Sequence, residues 1–293
     1  MPELPEVETI VRGLKDKVLN LKIIDVWTDI YKNIKRPKNF SEFLSLIKNK
    51  KIENITRLGK NIIFHLSDNY FLLIHQKLTG HLLYGQWEKD KDSHFISKIP
   101  GPLRDDPQNR FLHFILFLDN GFQIGLSDLR KFAKILLIKK DEFNTLKEIK
   151  ELGPDPLDKN FTFEKFKNQI RKKEKGEIKK ILMDQNIISG IGNIYSDEIL
   201  WRAKIHPKRD ISKLSEEELK KIYQIMRKLL PLAIKLKGES ISDFRDISGQ
   251  KGNFDKIRMV YRREGQRCSR CGTVIQRIKV GGRTAHFCPN CQK

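Results

Sequence analysis

No cysteine occurs before residue 268 of this chain, and only four occur from there on. A disulfide-stapled secreted scaffold is therefore excluded for all but the final segment. No apolar run is long enough for a transmembrane helix, and residues 1–20 lack a basic stretch followed by an apolar one. These absences predict a cytoplasmic protein without a membrane partner. Internal repeats and low-complexity tracts are also missing. Acidic residues are scarce against basic ones, 37 Asp and Glu against 58 Lys and Arg, which leaves a formal charge of +21. Such an excess repels itself in a compact chain and points to a polyanion, DNA or RNA, as partner.

Hydrophobic residues make up 39% of the 293, enough for a folded core and two or more domains. Val7, Ile10, Val11, Leu14 and Val18 recur at helical spacing behind Pro2 and Pro5. From about 22 to 140 the pattern shifts to short strands, among them "KIIDVW", "NIIFHL", "YFLLIH", "FLHFILFL" and "FQIGL". Residues 86–110 are polar, charged and proline-containing and read as a long surface loop. "ELGPDPL" at 151–157 marks a boundary. Helical periodicity returns over 161–171, 177–184, 192–201 and 215–236, and "SGQKGNF" reads as a loop. The expected fold is α+β and multidomain: an N-terminal helix with a β-sandwich over 1–150, a helical domain over 151–255, and a terminal hairpin over 256–293.

Cys268-x2-Cys271 and Cys288-x2-Cys291 are two knuckles that present four thiolates to one tetrahedral ion, so one structural Zn2+ is expected; two disulfides are the alternative. Gly281-Gly282 supplies the turn of the intervening hairpin. Residues 256–293 carry ten Lys or Arg against one Glu, and Arg283 follows the turn directly. On a metal-braced cationic finger an arginine suits phosphate.

Methionine ahead of proline is normally removed, which would leave Pro2 with a free secondary amine. An α-amino group titrates near 8, so a sizeable fraction is unprotonated near neutrality and able to attack an aldehyde-like carbon. Glu3 is a neighbouring proton carrier. Taken alone, the pair also suits an ordinary helix start.

The string "MPELPEVETIVRGL" resembles the start of bacterial formamidopyrimidine-DNA glycosylases. The resemblance continues in order through "ELGPDPL", "IKKILMDQNIISGIGNIYSDEILW" and the four-cysteine ribbon, covering nearly the whole chain. "ELPE" sets it apart from the "EGPE" of the endonuclease VIII branch, whose pyrimidine-lesion specificity is one alternative reading. A non-catalytic zinc-ribbon DNA-binding protein is the other.

The resemblance implies a helix–two-turn–helix domain and an enzyme of base excision repair. It would excise oxidised purines, 8-oxoguanine and formamidopyrimidines, from double-stranded DNA and cut at the resulting abasic site by β,δ-elimination. Pro2 would form a Schiff base at C1′, Glu3 would protonate the sugar ring oxygen, and Glu6 would be a further pocket carboxylate. Lys60 in "RLGKNIIF" matches the lysine that moves a proton in elimination, though alone it reads as a surface lysine. Arg283 matches the finger arginine on phosphate. His75, Lys179 and Asn193 correspond to phosphate contacts. Lys173 matches another DNA contact, although "RKKEKGE" also suits a solvated face.

Opening a duplex to extrude a base leaves a hole that apolar wedges fill. Leu78, Arg130 and Phe132 stand at the family's inserted positions, with leucine in place of methionine. On their own, Phe132 suits a core and Arg130 a salt bridge to Asp128. "DLRKFA" lacks the proline and glycine of the family's "DPRRFG", Phe111 replaces a DNA-binding histidine, and Asn253 replaces a tyrosine. One lesion per molecule implies a monomer.

Overall fold

The computed structural model describes residues 1–293. By contacts the chain forms two units, Met1–Lys150 with Leu236–Asp255, and Glu151–Lys235 with Lys256–Lys293.

In the first unit, helix α1 (Leu4–Val18) buries the stripe Val7, Ile10, Val11, Leu14 and Val18, with Lys15 and Lys17 in its last turn facing the negative end of the dipole. Then follow β1 (Ile23–Thr28), β2 (Ile34–Arg36), α2 (Phe40–Ile47), β3 (Ile52–Leu58), β4 (Asn61–Leu66), β5 (Tyr70–His75), β6 (His81–Gly85), β7 (Trp87–Lys89), β8 (Phe95–Ser97), α3 (Pro102–Asp105), β9 (Leu112–Leu118), β10 (Gln123–Ser127), β11 (Lys134–Lys139), α4 (Lys140–Phe143) and α5 (Lys147–Lys150). One sheet has the order β1-β9-β10-β6 and the other β2-β11-β5-β4-β3. All pairings are antiparallel except β11 with β2. The main core joins the α1 stripe to inward residues of both sheets, such as Phe64, Ile74, Phe114 and Leu116. Helix α2 was not expected, although its start carries a signal: the Asn39 side chain accepts from the Glu42 N–H at 3.1 Å.

Residues 86–110 are not the long loop expected. They form the β7–β8 hairpin and α3, and bury Trp87 and Leu103 against Leu83, Leu112 and Ile115 on the outer face of the four-stranded sheet. The few apolar residues of this polar stretch sit where an open sheet face needs covering, which composition averages away. The segment 236–255 returns to the first unit, and the Arg245 guanidinium pairs with Asp106 at 2.6 Å. A grouping by contacts thus differs from the division by sequence, which stays a proposal about modules.

The second unit holds α6 (Phe163–Arg171), α7 (Ile178–Met183), α8 (Asn193–Ala203), α9 (Glu216–Lys235) and the hairpin β12 (Gln276–Val280) with β13 (Arg283–Phe287). No helix of the protein is long and apolar enough to cross a membrane.

Candidate active site and nucleic-acid contacts

In the first unit the amino end is built around two buried carboxylates, Glu3 at 2% exposure and Glu6 at 1%. Glu3 caps α1, and its backbone N–H donates to Glu6 Oε2 at 2.8 Å. Glu6 Oε1 accepts the N–H of Glu239 at 2.8 Å, so the returning segment is fastened to the first helical turn. Gly238 allows this approach: its φ is +74°, and a Cβ there would stand 2.5 Å from Glu6 Oε1. Pro2 is buried in the same place.

Burial lowers the pKa of the Met1 α-amino group below its ordinary value. The carboxylates of Glu3, Glu6 and Asp243 oppose that shift, and the Lys60 ammonium adds to it. The sequence-predicted Pro2, Glu3, Glu6 and Lys60 are therefore brought together. Asp243 is an addition that sequence reading missed, because it lies in a polar loop.

Lys60, 6% exposed, sits in the two-residue turn between β3 and β4, where Leu58 pairs with Asn61. An ion-pair chain steadies that turn. The Glu8 carboxylate receives Arg57 Nε at 2.9 Å, and Arg57 Nη1 donates to the Gly59 carbonyl at 3.2 Å. His75 closes β5 opposite Asn61. Its Nδ1 accepts from the Lys77 N–H at 2.9 Å, which puts the ring proton on Nε2. Desolvation, with Lys77 and Lys60 nearby, takes its pKa down to about 3, so the ring is a neutral donor.

Leu78 lies half-buried in the turn after β5. The facing turn is held by Asp128, which is fully buried. Its Oδ1 accepts from Thr79 Oγ1 at 2.5 Å, and its Oδ2 accepts the N–H groups of Phe132 and Ala133, both at 2.8 Å. The Arg130 N–H donates to Thr79 Oγ1 at 3.0 Å, tying the two turns together. The simpler readings fail here. Asp128 is occupied with backbone and hydroxyl donors, and Phe132 is 50% exposed with the Arg130 guanidinium 4.9 Å from its ring centre. The result is an exposed aromatic and cationic tip on a rigid base.

In the second unit, Gly190 and Gly192 lead into α8, and Asn193 is its first residue, as expected. Lys173 is exposed beyond α6. Lys179 corrects the sequence expectation. Its side chain has 0% exposure, and Nζ donates to Asp197 Oδ1 at 2.5 Å and to the Thr284 carbonyl at 3.3 Å. Asp197 Oδ2 also accepts the His286 N–H at 2.9 Å. An ammonium enclosed this way cannot reach a phosphate; it ties α7 and α8 to the β12–β13 hairpin. Glu198, equally buried, accepts three successive N–H groups, Met259, Val260 and Tyr261, at 2.8–3.0 Å and pairs with Arg202 at 2.5 Å.

The terminal hairpin turns through Gly281 and Gly282, whose φ values of 52° and 74° are those of a tight two-residue turn. Arg283 follows, exposed. All four cysteines are free, and their sulfurs lie within 4.8 Å of one another. Cys268 and Cys291 Sγ are 3.9 Å apart, and Cys271 and Cys288 Sγ 3.5 Å. Disulfides need about 2.05 Å. Thiolates about 2.3 Å from one tetrahedral Zn2+ stand about 3.8 Å apart. The set fits zinc, which would brace this hairpin.

Comparison with known proteins agrees along the whole chain. Residues 1–135 match the formamidopyrimidine-DNA glycosylase N-terminal domain, residues 152–245 the formamidopyrimidine-DNA glycosylase H2TH domain, and residues 265–293 a zinc finger found in FPG and IleRS. The formamidopyrimidine-DNA glycosylase of Pelotomaculum thermopropionicum is 41% identical over 293 residues, covering 100% of this chain and 99% of that protein. That of Ligilactobacillus salivarius is 37% identical over 292 residues, with the same coverage. A mutant Lactococcus lactis Fpg in complex with a Fapy-dG containing DNA superposes with a TM-score of 0.86 at 32% identity over 100% of both chains. The Lactococcus lactis Fpg in complex with an abasic site containing DNA gives 0.85 at 32% identity, over 99% of each chain.

Proposed function

Because this chain belongs to the formamidopyrimidine-DNA glycosylase family, we infer from the geometry which of its residues carry the family's two reactions. It is a DNA glycosylase and abasic-site lyase of base excision repair, acting on Fapy-dG and abasic-site DNA. The range extends in our reading to 8-oxoguanine in duplex DNA.

Once Met1 is removed, the Pro2 amine attacks C1′ of the damaged nucleotide and the glycosidic bond breaks. A proton delivered by Glu3 to the ring oxygen opens the sugar and leaves a Schiff base on Pro2. Lys60, held by the Glu8–Arg57–Gly59 chain, accepts or returns the proton as elimination breaks the C3′–O bond. The second elimination breaks the C5′–O bond with Arg283 against the phosphate. Glu6 fixes Glu3 and the returning segment. Neutral His75 donates Nε2–H to a phosphate, and Lys173, with the N–H groups at the start of α8 beside Asn193, supplies further contacts. Leu78, Arg130 and Phe132 fill the space of the extruded base. Zn2+ held by Cys268, Cys271, Cys288 and Cys291 stiffens the hairpin that carries Arg283. The protein works as a cytoplasmic monomer on the nucleoid.

One observation carries this reading: Glu3, Glu6 and Lys60 converge on the amino end of the chain, where Pro2 is buried. Borohydride reduction in the presence of an abasic duplex should trap a covalent adduct. Adduct formation by a chain extended ahead of Pro2 would refute the assigned nucleophile.

A further inference from the structure

The arm formed by residues 86–110 does more than cover the outer sheet face. Between it and β1 and β9 lies a cavity of about 1000 Å³. Trp27, Phe95 and Phe111 line it with Lys89, Arg110 and His113. The Trp27 and Phe95 rings meet edge to face at 4.6 Å. Lys89 Nζ lies over both, 5.3 Å and 5.5 Å from the ring centres. His113 offers its Nδ1 to both carboxylate oxygens of Asp29 at 3.0 Å, while its buried Nε2 has no partner. With the proton on Nδ1, that Nε2 is an acceptor awaiting a donor.

The charges narrow the occupant. Asp29, Asp90 and Asp105 offset Lys89, Arg104 and Arg110 around the cavity. Arg104 is committed to the carbonyls of Ser97 and Lys98. Aromatic faces, one open acceptor and the Lys89 and Arg110 cations suit a flat heteroaromatic ring bearing N–H groups, with its phosphate toward the cations. The cavity also adjoins the wedge turn, since the Phe111 carbonyl accepts the Asp128 N–H at 2.8 Å. We propose that the 86–110 arm forms a second nucleotide site that takes an unpaired nucleobase, packed against Trp27 and Phe95 in place of the Lys89 ammonium. Lys89 and Arg110 then meet its phosphate.

The test uses the full-length zinc-loaded protein and two probes. The first is a short duplex with or without one unpaired adenine; the second is dAMP alone, read by tryptophan emission in a Trp201→Phe background, which leaves Trp27 and Trp87 as reporters. The unpaired adenine should tighten binding about tenfold, and Phe95→Ala should remove that gain. Lys89→Ala, at an exposed position, should reduce it and serves as the readout if Phe95→Ala does not fold. Quenching by dAMP that needs Phe95 shows that free nucleotides also enter; a strand preference without quenching restricts the site to bases held in DNA. Equal affinity for the two duplexes with no such quenching overturns the proposal. So does a preference that both variants keep. Borohydride trapping on an abasic duplex should be unchanged in either variant, which separates failure here from failure of the Pro2 reading.

Discussion

Buried carboxylates occur in both units, in different surroundings. In the second unit Asp197 and Glu198 are surrounded by donors: an ammonium, a guanidinium and four backbone N–H groups. Each is spent on holding helices to the zinc hairpin. In the first unit Glu3 and Glu6 lie beside the amino end of the chain, with Lys60 close by. A carboxylate ringed by permanent cations is architecture, whereas one set beside a titratable amine can exchange protons. The surroundings decide the role, not the residue type.

The sharpest way to break this comparison is to block the Pro2 amine. A residue added ahead of it should abolish both excision and borohydride trapping. Glu3→Gln should lower kcat by about 10²–10⁴-fold while the thermal transition moves little. If Glu3→Gln unfolds the first unit and leaves the rate intact, its carboxylate is as structural as Asp197.

The counterpart in the second unit is Lys179→Met, which strands the Asp197 charge. It should cost about 3–5 kcal/mol of stability, seen as an earlier unfolding transition, with Lys179→Met/Asp197→Leu recovering part of the loss. Weaker DNA binding at unchanged stability would instead return Lys179 to the phosphate role expected from sequence.

Asp128→Ala tests a third setting, a carboxylate that organises a turn. Orphaning its partners should cost about 1–3 kcal/mol. Discrimination between lesion and intact duplex should fall, while trapping on a single-stranded abasic oligonucleotide persists.

His75 gives a smaller effect with a defined pH window. Its pKa is about 3 when folded against 6.5 when exposed. As pH falls the unfolded chain takes up the proton first, so its contribution is whole above about 6.5 and is lost between about 6.5 and 3. His75→Gln should therefore flatten the dependence of the urea midpoint on pH across the upper part of that window. An unchanged slope would place the acid sensitivity elsewhere. The smallest effect belongs to Lys173→Ala, which should reduce the slope of log affinity against log salt by about 1; no change would mark it as a solvated face.

Periodic features were legible in the sequence because the physics behind them is local. The α1 stripe, five strands of the sandwich, the four later helices and the cysteine spacing all follow from apolar period or ligand geometry. What could not be read depends on partners far along the chain. The arm at 86–110 looks like a loop until the sheet face beneath Trp87 is known. Lys179 looks like a DNA contact until Asp197 and Thr284 enclose it. Asp243 looks like loop filler until the segment carrying it is fastened to Glu6. Of the candidate site, the motif residues were found by resemblance, and the hydrogen bonds that arrange them only by the fold.

The link between Glu6 and Glu239 spans 233 positions. On a ribosome adding about 5–20 residues per second, the first helical turn waits roughly 12–50 seconds for that partner to emerge. A nascent or truncated polypeptide lacking the later segment offers the Glu6 carboxylate no Glu239 N–H.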